Sequence, residues 1–496
     1  MSPILIVGCI SGYFILLLTI AWFTSKKAGN FGYFLGNKSS PWIVVAFGMI
    51  GDSLSGVTFI SLPGTVVNSQ FGYLQLVLGY LVGYAVIARV LLPVYYRLNL
   101  ISIYGYLQSR FGNYSQKTGS FYFLISRIIG ASLRLYLAVA VLQYFVFDHW
   151  GIPFFASVAI IITLMMIYTY RGGIKTLVWT DMFQSGILLL GVVLSIIAIM
   201  NNLNWDIATT VNEVRKSSYA QVFFWDWREK SFFFKQFLSG AFIAIVMTGL
   251  DQNMMQKNLS CRSLSEAQKN LQWFSVILVI VNTFFVSLGA LLYIYASKNG
   301  IDLPINPETG KIITDKVFPH LALNSLGSFA ALAFIIGLTA ATFNSADSVL
   351  TTLTTSFCVD FLQLNDEGKY TERRKTTIRH AVHIGFAFVL LIAIMISSNV
   401  NQTSVLDAIF TVAAYTYGPL LGLFAFGLFT KWNVKDKLVP LVCIIPPFIC
   451  YFLNTNSAVW FNGYKFSYEL LLVNGIITFG GLWMVRKKYN AESAMV

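Results

Sequence analysis

The chain has 496 residues, of which 56% are hydrophobic and only 11% are charged, and its mean hydropathy is +0.68. Soluble domains average roughly 25% charged residues, so this composition excludes an ordinary soluble protein and indicates an integral membrane protein. The net charge of +13 predicts no nucleic-acid partner, because the cations follow the alternation of loops that marks membrane topology.

Thirteen apolar segments are long enough to cross a bilayer, which takes about 20 helical residues. Helices are expected throughout, because lipid cannot satisfy open strand edges and the segments are too long for barrel strands. These predicted segments, numbered here as spans 1 to 13, lie near residues 3–24, 42–67, 72–96, 118–146, 151–170, 177–200, 233–256, 271–297, 326–356, 378–397, 405–429, 438–454 and 467–485.

The lysines and arginines predict the orientation. With the N-terminus outside, most of them fall in inside loops, such as Lys257, Arg262 and Lys269 after span 7. This is the positive-inside pattern, and it favours an odd number of spans. We therefore expect a multi-pass protein of the cell membrane, with its N-terminus outside and its C-terminus in the cytoplasm.

Span 2 contains the stretch GMIGDSLSG, which places Asp52 and several glycines at membrane depth. Gly51 and Gly56 predict a broken helix, since glycine tolerates irregular backbone. A break leaves carbonyl oxygens free to bind a cation or a substrate hydroxyl, and secondary transporters pair such helices in two inverted repeats. The matching helix is span 7, where Gly249 and Asp251 flank a weaker candidate break.

Charged side chains inside the hydrocarbon region are costly and usually face a cavity or a partner. Apart from Asp52, those in the predicted spans are Arg127 and Arg134 in span 4, Asp181 in span 6, Asp251 in span 7 and Asp347 in span 9. For Arg134 three interpretations stay open: an internal pair with Asp52 or Asp347, contact with a substrate carboxylate, or a position near the membrane interface.

Span 9 is unusually polar. In GLTAATFNSADSVLTTLTTSF, helical spacing places two stripes side by side, one of Ala341, Ser345, Ser348 and Thr352 and one of Asn344, Asp347 and Thr351. Isolated serines and threonines usually serve helix packing. So many polar groups around one carboxylate predict a cation site on this helix.

Several stretches together resemble the sodium:solute symporter family: DSLSGVTFISLPG, GGIKTLVWTDMFQ, DQNMMQKNLSCRSLSEAQKN, AATFNSADS and YGPLLGLFAFGLF. The resemblance implies an all-α membrane fold with thirteen transmembrane helices and a five-plus-five inverted repeat, like the bacterial leucine transporter. One transporter domain would then fill residues 1–496. Its parts would be an extra N-terminal helix (3–24), a first repeat (42–200), a second repeat (233–429) and two C-terminal helices (438–485).

The resemblance also implies where cations bind. The main sodium site falls on Gly51, Leu54, Ala341, Asn344 and Ser345, with asparagine at position 344 where the family commonly has serine. A second cation site falls on Asp181, Asp347 and Ser348, where Asp347 again replaces an expected serine. That carboxylate would either strengthen the second site or pair with Arg134, so one or two Na⁺ ions are expected.

The substrate cavity is expected beside the break in span 2. By motif position, the resemblance places Ser53, Ser55 and Thr58 in its lining. The further candidates are Asp52, Gln75, Arg134, Asp251, Gln252, Tyr415 and Tyr417. Members that transport sialic acid carry an arginine that aligns with Gly130, one turn from Arg134. The resemblance therefore does not imply sialic acid.

The predicted function is Na⁺-driven symport of a small polar organic solute, such as a sugar, a polyol or sialic acid, by alternating access. We expect a monomer in the lipid bilayer that is not an enzyme. Two alternatives stay open: an H⁺-coupled symporter of the same fold, and a solute sensor built on a transporter fold.

Overall fold

The protein is built almost entirely of α-helices. The structure, a computed structural model, describes residues 3–25, 29–366, 369–398 and 404–487. In chain order the helices are α1 (Pro3–Thr24), α2 (Asn30–Leu35), α3 (Trp42–Ser53), α4 (Gly56–Ser69), α5 (Tyr73–Val86), α6 (Leu92–Arg97), α7 (Gly105–Arg110), α8 (Asn113–Leu142), α9 (Phe154–Gly172), α10 (Ile174–Leu203), α11 (Ile207–Lys216), α12 (Phe233–Ala244), α13 (Gln252–Leu259), α14 (Leu264–Asn299), α15 (Thr314–Asn324), α16 (Ser328–Ser356), α17 (Glu372–Ser397), α18 (Val405–Phe429), α19 (Val439–Trp460) and α20 (Leu470–Met484). Two short antiparallel strands, β1 (Asn433–Val434) and β2 (Arg486–Lys487), join the loop before α19 to the segment after α20.

The helices account for the predicted membrane spans. Nine helices of the described residues are long and apolar enough to cross a bilayer, or eleven if each of two bent pairs counts as one span. The two remaining predicted spans coincide with α9 and α20, whose apolar stretches are shorter, at Phe154–Tyr170 and Leu470–Met484. The multi-pass membrane protein predicted from composition is thus the architecture observed.

Both helix breaks predicted from the sequence are present. The axes of α3 and α4 differ by 56° across Leu54 and Ser55, and the α12 segment meets α13 at 64°. At the first break Ser55 is extended, with φ −63° and ψ 173°. At the second break Asp251 is extended, with φ −112° and ψ 121°. The break that the sequence marked as the weaker one is the sharper of the two.

The glycines near the first break were predicted to supply irregular backbone, but they have another role. Gly51 lies inside α3 and is helical, so it does not supply the irregular backbone. Its role is close approach: a Cβ at this position would overlap the Asn344 amide of α16 and the Ser185 hydroxyl of α10. Gly56 begins α4, where a Cβ would lie 3.1 Å from the Thr342 hydroxyl. The missing side chains therefore let the broken helix lie directly against α16.

A glycine-lined contact also joins the second broken helix to its neighbour. Gly79 of α5 and Gly240 of α12 lie where an added Cβ would overlap the backbone of the facing helix. Small residues let two helix backbones approach closely in a membrane, where no hydrophobic effect drives helices together. This close contact holds α12 against α5, next to the bend that leads into α13.

The loop helix α15 is attached to the start of α18 by a buried carboxylate. The backbone N–H of Val405 donates to Asp315 Oδ2 at 2.9 Å. Burial raises the pKa of Asp315 to about 6, although the hydrogen bond from Val405 acts in the opposite direction. Because burial raises the pKa of Asp315 in the folded protein, the protonated carboxyl favours the folded state. This stabilisation is fully present below the unfolded pKa of about 3.9. That contribution is lost as pH rises through about 6.

We therefore expect the unfolding free energy to fall between pH 4 and pH 7 by on the order of 2 kcal/mol more in the wild type than in Asp315→Asn. The asparagine cannot ionise, so the difference between the two pH profiles isolates this carboxyl. The measurement is reversible denaturation in mixed micelles across that pH range. Superimposable profiles would show that the burial of Asp315 has no energetic consequence.

Candidate functional site

The break between α3 and α4 lies against the middle of α16. Gly51 contacts Asn344, and Gly56 contacts Thr342. The N–H of Gly51 also donates to the Ser185 hydroxyl of α10 at 2.9 Å. The structure therefore brings the two helices that carry the predicted sodium ligands into direct contact, with α10 as the third wall.

Asn344 supplies a free oxygen at this contact. Its amide nitrogen donates to the backbone oxygen of Asp181 at 3.1 Å and lies 3.4 Å from the Ser185 hydroxyl. Its Oδ1 atom is buried without a hydrogen-bond partner among the described residues. Ser345 turns its hydroxyl to the backbone oxygens of Ala341 and Thr342, at 3.2 and 3.3 Å. A buried oxygen without a donor is the kind of ligand that a hard cation prefers.

Ser185 was missed by the sequence analysis. It accepts from Gly51 and lies within reach of Asn344, so it orients two predicted sodium ligands. The available signal was its spacing, one helical turn beyond Asp181 on the same face of α10.

The two carboxylates of the predicted second cation site contact different partners. Ser348 donates to Asp181 Oδ2 at 3.4 Å. The carboxylate of Asp347 instead accepts from the Tyr168 hydroxyl at 2.7 Å and from the N–H of Ser348 at 2.5 Å. The predicted alternative, a pair between Asp347 and Arg134, is therefore wrong. Tyr168 of α9 is nearer and supplies a neutral donor.

A buried lysine occupies the space beside Asp181. The ammonium of Lys257 contacts Asp181 Oδ2 at 2.5 Å and also contacts Asp52 Oδ2. Its side chain is only 1% exposed. The sequence analysis placed Lys257 in an inside loop, which is wrong, because α13 continues for eight residues beyond the bend and keeps this side chain inside the protein.

Asp251 is held in a second buried ion pair. Arg127 Nε donates to Asp251 Oδ2 at 2.6 Å, and the Tyr417 hydroxyl donates to the same oxygen at 2.5 Å. Its other oxygen accepts from the N–H of Met254, which caps α13. Asp251, a predicted substrate residue, is not among the residues that line the cavity. Its carboxylate caps α13 and pairs with Arg127.

Three other predicted substrate residues also lie outside the cavity. The amide of Gln252 bonds to the backbone of residues 101 and 103. Gln75 bonds to the backbone of residues 224 and 231 in the loop before α12. The Tyr415 hydroxyl accepts from Asn454 of α19. Each of these side chains is hydrogen-bonded to backbone or side-chain groups outside the cavity lining.

The cavity itself lies beside the first break, between the two broken helices and α8. Five predicted residues line it: Asp52, Ser53, Ser55, Thr58 and Arg134. The other polar or aromatic lining residues are Tyr73, Tyr80, Tyr84, Arg127, Thr248, Asn282 and Phe410. Of these, only Arg127 was noted from the sequence, as a buried charge and not as a substrate residue. The others were missed, because aromatic residues and single polar groups in apolar spans are too common to mark a site.

Arg134 differs from the other buried cations. Arg127 and Lys257 each contact carboxylates. In the part of the chain that the structure describes, no ion pair joins Arg134 to a carboxylate, and its Nε atom is buried without a hydrogen-bond partner. The cavity thus contains one guanidinium that forms no ion pair with a carboxylate of the described residues.

Comparisons with known proteins identify the family of the chain. The model of the sodium:solute symporter family matches residues 33–436. The sodium/sialic acid symporter NanT of Aliivibrio fischeri is 26% identical over 433 residues, which cover 86% of this chain and 83% of the relative. The sodium-coupled monocarboxylate transporter 1 of Mus musculus is 26% identical over 416 residues, covering 80% of this chain and 64% of the relative.

The fold matches a solved structure over nearly the whole chain. A Na⁺-coupled sialic acid symporter in a substrate-bound, outward-open state superposes with a TM-score of 0.81. The alignment covers 98% of this chain and 99% of that protein, at 22% sequence identity. The predicted all-α transporter fold is thereby confirmed. With the family model matched from residue 33 to residue 436, the chain belongs to the sodium:solute symporter family and is a Na⁺-coupled transporter, not an enzyme.

Proposed function

We propose that the protein imports a small, hydroxyl-bearing carboxylate together with Na⁺ across the cell membrane. Transport is by alternating access, with the N-terminus outside and the C-terminus in the cytoplasm. The observation that carries the choice of solute is Arg134, the guanidinium in the cavity that lacks an ion-pair partner among the described residues.

The ion pairs around the cavity leave Arg134 as the cation that is available to an anionic solute. Asp52 also faces the cavity but contacts Lys257, and Arg127 contacts Asp251. A charge buried at membrane depth without a partner is costly. A solute carboxylate would supply the missing partner of Arg134, and the two would form a charge-assisted hydrogen bond.

The remaining lining residues favour a solute with hydroxyl groups. Ser53, Ser55 and Thr58 lie at the break, and Thr248 faces them from the second broken helix. These side chains both donate and accept hydrogen bonds. The names of the two relatives support the same class, because sialic acid and monocarboxylates share a carboxylate group. Sialic acid, which adds several hydroxyls, is the first solute to test.

Sodium would be held where the break meets α16. The proposed ligands are backbone oxygens of Gly51, Leu54 and Ala341, the free amide oxygen of Asn344 and the hydroxyl of Ser345. An ion at this position would tie α3 to α16 and so order the neighbouring cavity. Binding of Na⁺ and binding of solute would then strengthen each other by the same factor, as linkage requires.

The experiment is uptake of labelled N-acetylneuraminate into proteoliposomes that contain the purified protein. An inward Na⁺ gradient should drive accumulation, whereas an equal K⁺ gradient should not. Unlabelled N-acetylneuraminate should compete, but its methyl ester, which lacks the charge, should compete at least tenfold less well. Glucose and inositol test the neutral alternatives.

Each arm can contradict a different part of the proposal. Competition by the methyl ester or by a neutral sugar, equal to that by the acid, would overturn the carboxylate class. Accumulation driven by a proton gradient without Na⁺ would favour the H⁺-coupled alternative. Binding of solute without any transmembrane flux would favour a sensor.

A further inference from the structure

The ion triad of Lys257, Asp52 and Asp181 lies beside the proposed sodium site. Asp52 follows Gly51 and precedes Leu54 by two residues, on the last turn of α3. The backbone oxygen of Asp181 accepts from the Asn344 amide. Both carboxylates of the triad are thus on residues that adjoin proposed sodium ligands, while the ammonium that joins them comes from α13.

The triad is fully enclosed. The side chains of Lys257, Asp52 and Asp181 are each at most 1% exposed. Two oxygens, Asp52 Oδ1 and Asp181 Oδ1, are buried without hydrogen-bond partners among the described residues. Two buried carboxylates therefore share one cation.

A surface role does not account for this lysine. An ammonium on the inner surface would be hydrated and would add only to the inside charge. Lys257 instead connects α3 and α10 to α13, the segment that follows the second break. The carboxylates on both sides would repel each other without it, because like charges are poorly screened in a low dielectric.

We propose that the Lys257 ammonium is a fixed cation of the transport site, which takes the place of a second coupling ion. It holds Asp181, the carboxylate around which the predicted second cation site was centred, so each transport cycle carries one Na⁺. This inference rests on the proposed function, since it assumes that Na⁺ binds between α3 and α16.

A stoichiometry of one Na⁺ per cycle determines which gradient drives transport. One Na⁺ moving with one monocarboxylate transfers no net charge. The Na⁺ concentration gradient alone then drives uptake of such a solute, and the membrane potential does not act on the stoichiometric cycle. A second Na⁺ would make the same cycle electrogenic.

The test counts sodium ions by linkage, without any solute. The unfolding free energy is measured in mixed micelles as a function of Na⁺ concentration, with K⁺ keeping the ionic strength constant. At saturating Na⁺, the slope of the unfolding free energy against ln[Na⁺] equals RT for each ion that the folded protein binds. The wild type should give the slope for one ion, and so should Lys257→Arg, which keeps the cation. Lys257→Met should give twice that slope, because Na⁺ replaces the ammonium between Asp52 and Asp181.

The outcomes separate this inference from the proposed function. A wild-type slope of two ions, or an unchanged slope of one in folded Lys257→Met, overturns the assignment of Lys257 while leaving Na⁺ coupling intact. A wild-type slope of zero contradicts Na⁺ coupling itself, and the role of Lys257 falls with it. Because the wild-type slope alone can overturn the inference, the test does not depend on whether Lys257→Met folds.

Discussion

Gly51→Ala is expected to abolish most Na⁺ binding, although it adds only one methyl group. The new Cβ would overlap the Asn344 amide and the Ser185 hydroxyl, both buried and both held by hydrogen bonds. Overpacking of this kind costs about 1–3 kcal/mol, which is roughly a 5- to 150-fold weakening of Na⁺ affinity. The measurement is the Na⁺ concentration that gives half-maximal thermal stabilisation.

Gly186→Ala is the matched control for this substitution. Gly186 lies on α10, next to Ser185 in the chain, but a Cβ there would meet nothing within 4 Å. Its Na⁺ dependence should stay within about twofold of the wild type. Equal Na⁺ responses of Gly51→Ala and Gly186→Ala would contradict the close approach of α3 to α16 as a requirement for binding.

Arg127→Met is expected to cause the largest loss of stability among single substitutions around the cavity. Removing the guanidinium leaves Asp251 charged, buried and bonded only to neutral donors, Tyr417 and the N–H of Met254. Breaking a buried pair from one side costs about 3–5 kcal/mol. The unfolding free energy of the purified protein measures the effect. Arg127→Met combined with Asp251→Asn should recover part of it, because the stranded charge is gone.

Arg134→Met is the comparison that distinguishes the two arginines of α8. This residue has no carboxylate partner among the described residues, so its loss should cost less than about 1 kcal/mol in stability. It should nevertheless weaken competition by N-acetylneuraminate at least tenfold, since charge-assisted bonds contribute about 1.5–3 kcal/mol. Equal destabilisation by both substitutions, with unchanged solute binding in Arg134→Met, would contradict the assigned roles.

The fold was largely predictable because its signals are strong and local. Runs of about 20 apolar residues can be satisfied only by helices in lipid, and Asp52 among glycines marked the first break. The sharpness of the bends was harder to predict from the sequence. The second break is sharper than its sequence suggested, since the bend depends on Asp251 capping α13 and pairing with Arg127.

The candidate site was predictable only in part, because partner choice is a long-range property. The sequence identified Asp52, Asp181 and Asp347 as buried charges that need partners, but gave no means of choosing among distant residues. Lys257 lies 205 positions from Asp52 and 76 from Asp181. It was assigned to a loop by charge counting, because the inward end of α13 has no apolar pattern of its own.

The sequence also could not show what the polar side chains of Gln75, Gln252 and Tyr415 would bond to. A polar side chain in an apolar span indicates a hydrogen-bonding need, which a substrate or the protein can fill equally well. Here backbone groups fill it for Gln75 and Gln252, and Asn454 fills it for Tyr415. By contrast, Ser53, Ser55 and Thr58 face the cavity because the break itself turns them there.

The most direct test of the account is the Na⁺ response of the double variant Asn344→Ala, Ser345→Ala, measured as thermal stabilisation by Na⁺ relative to K⁺ in the absence of solute. The account predicts that the wild type is stabilised by Na⁺ and that the variant, if folded to the same extent in K⁺, needs at least tenfold more Na⁺ for the same shift. An unchanged Na⁺ response in the variant would contradict the proposal that α3 and α16 together hold the coupling ion.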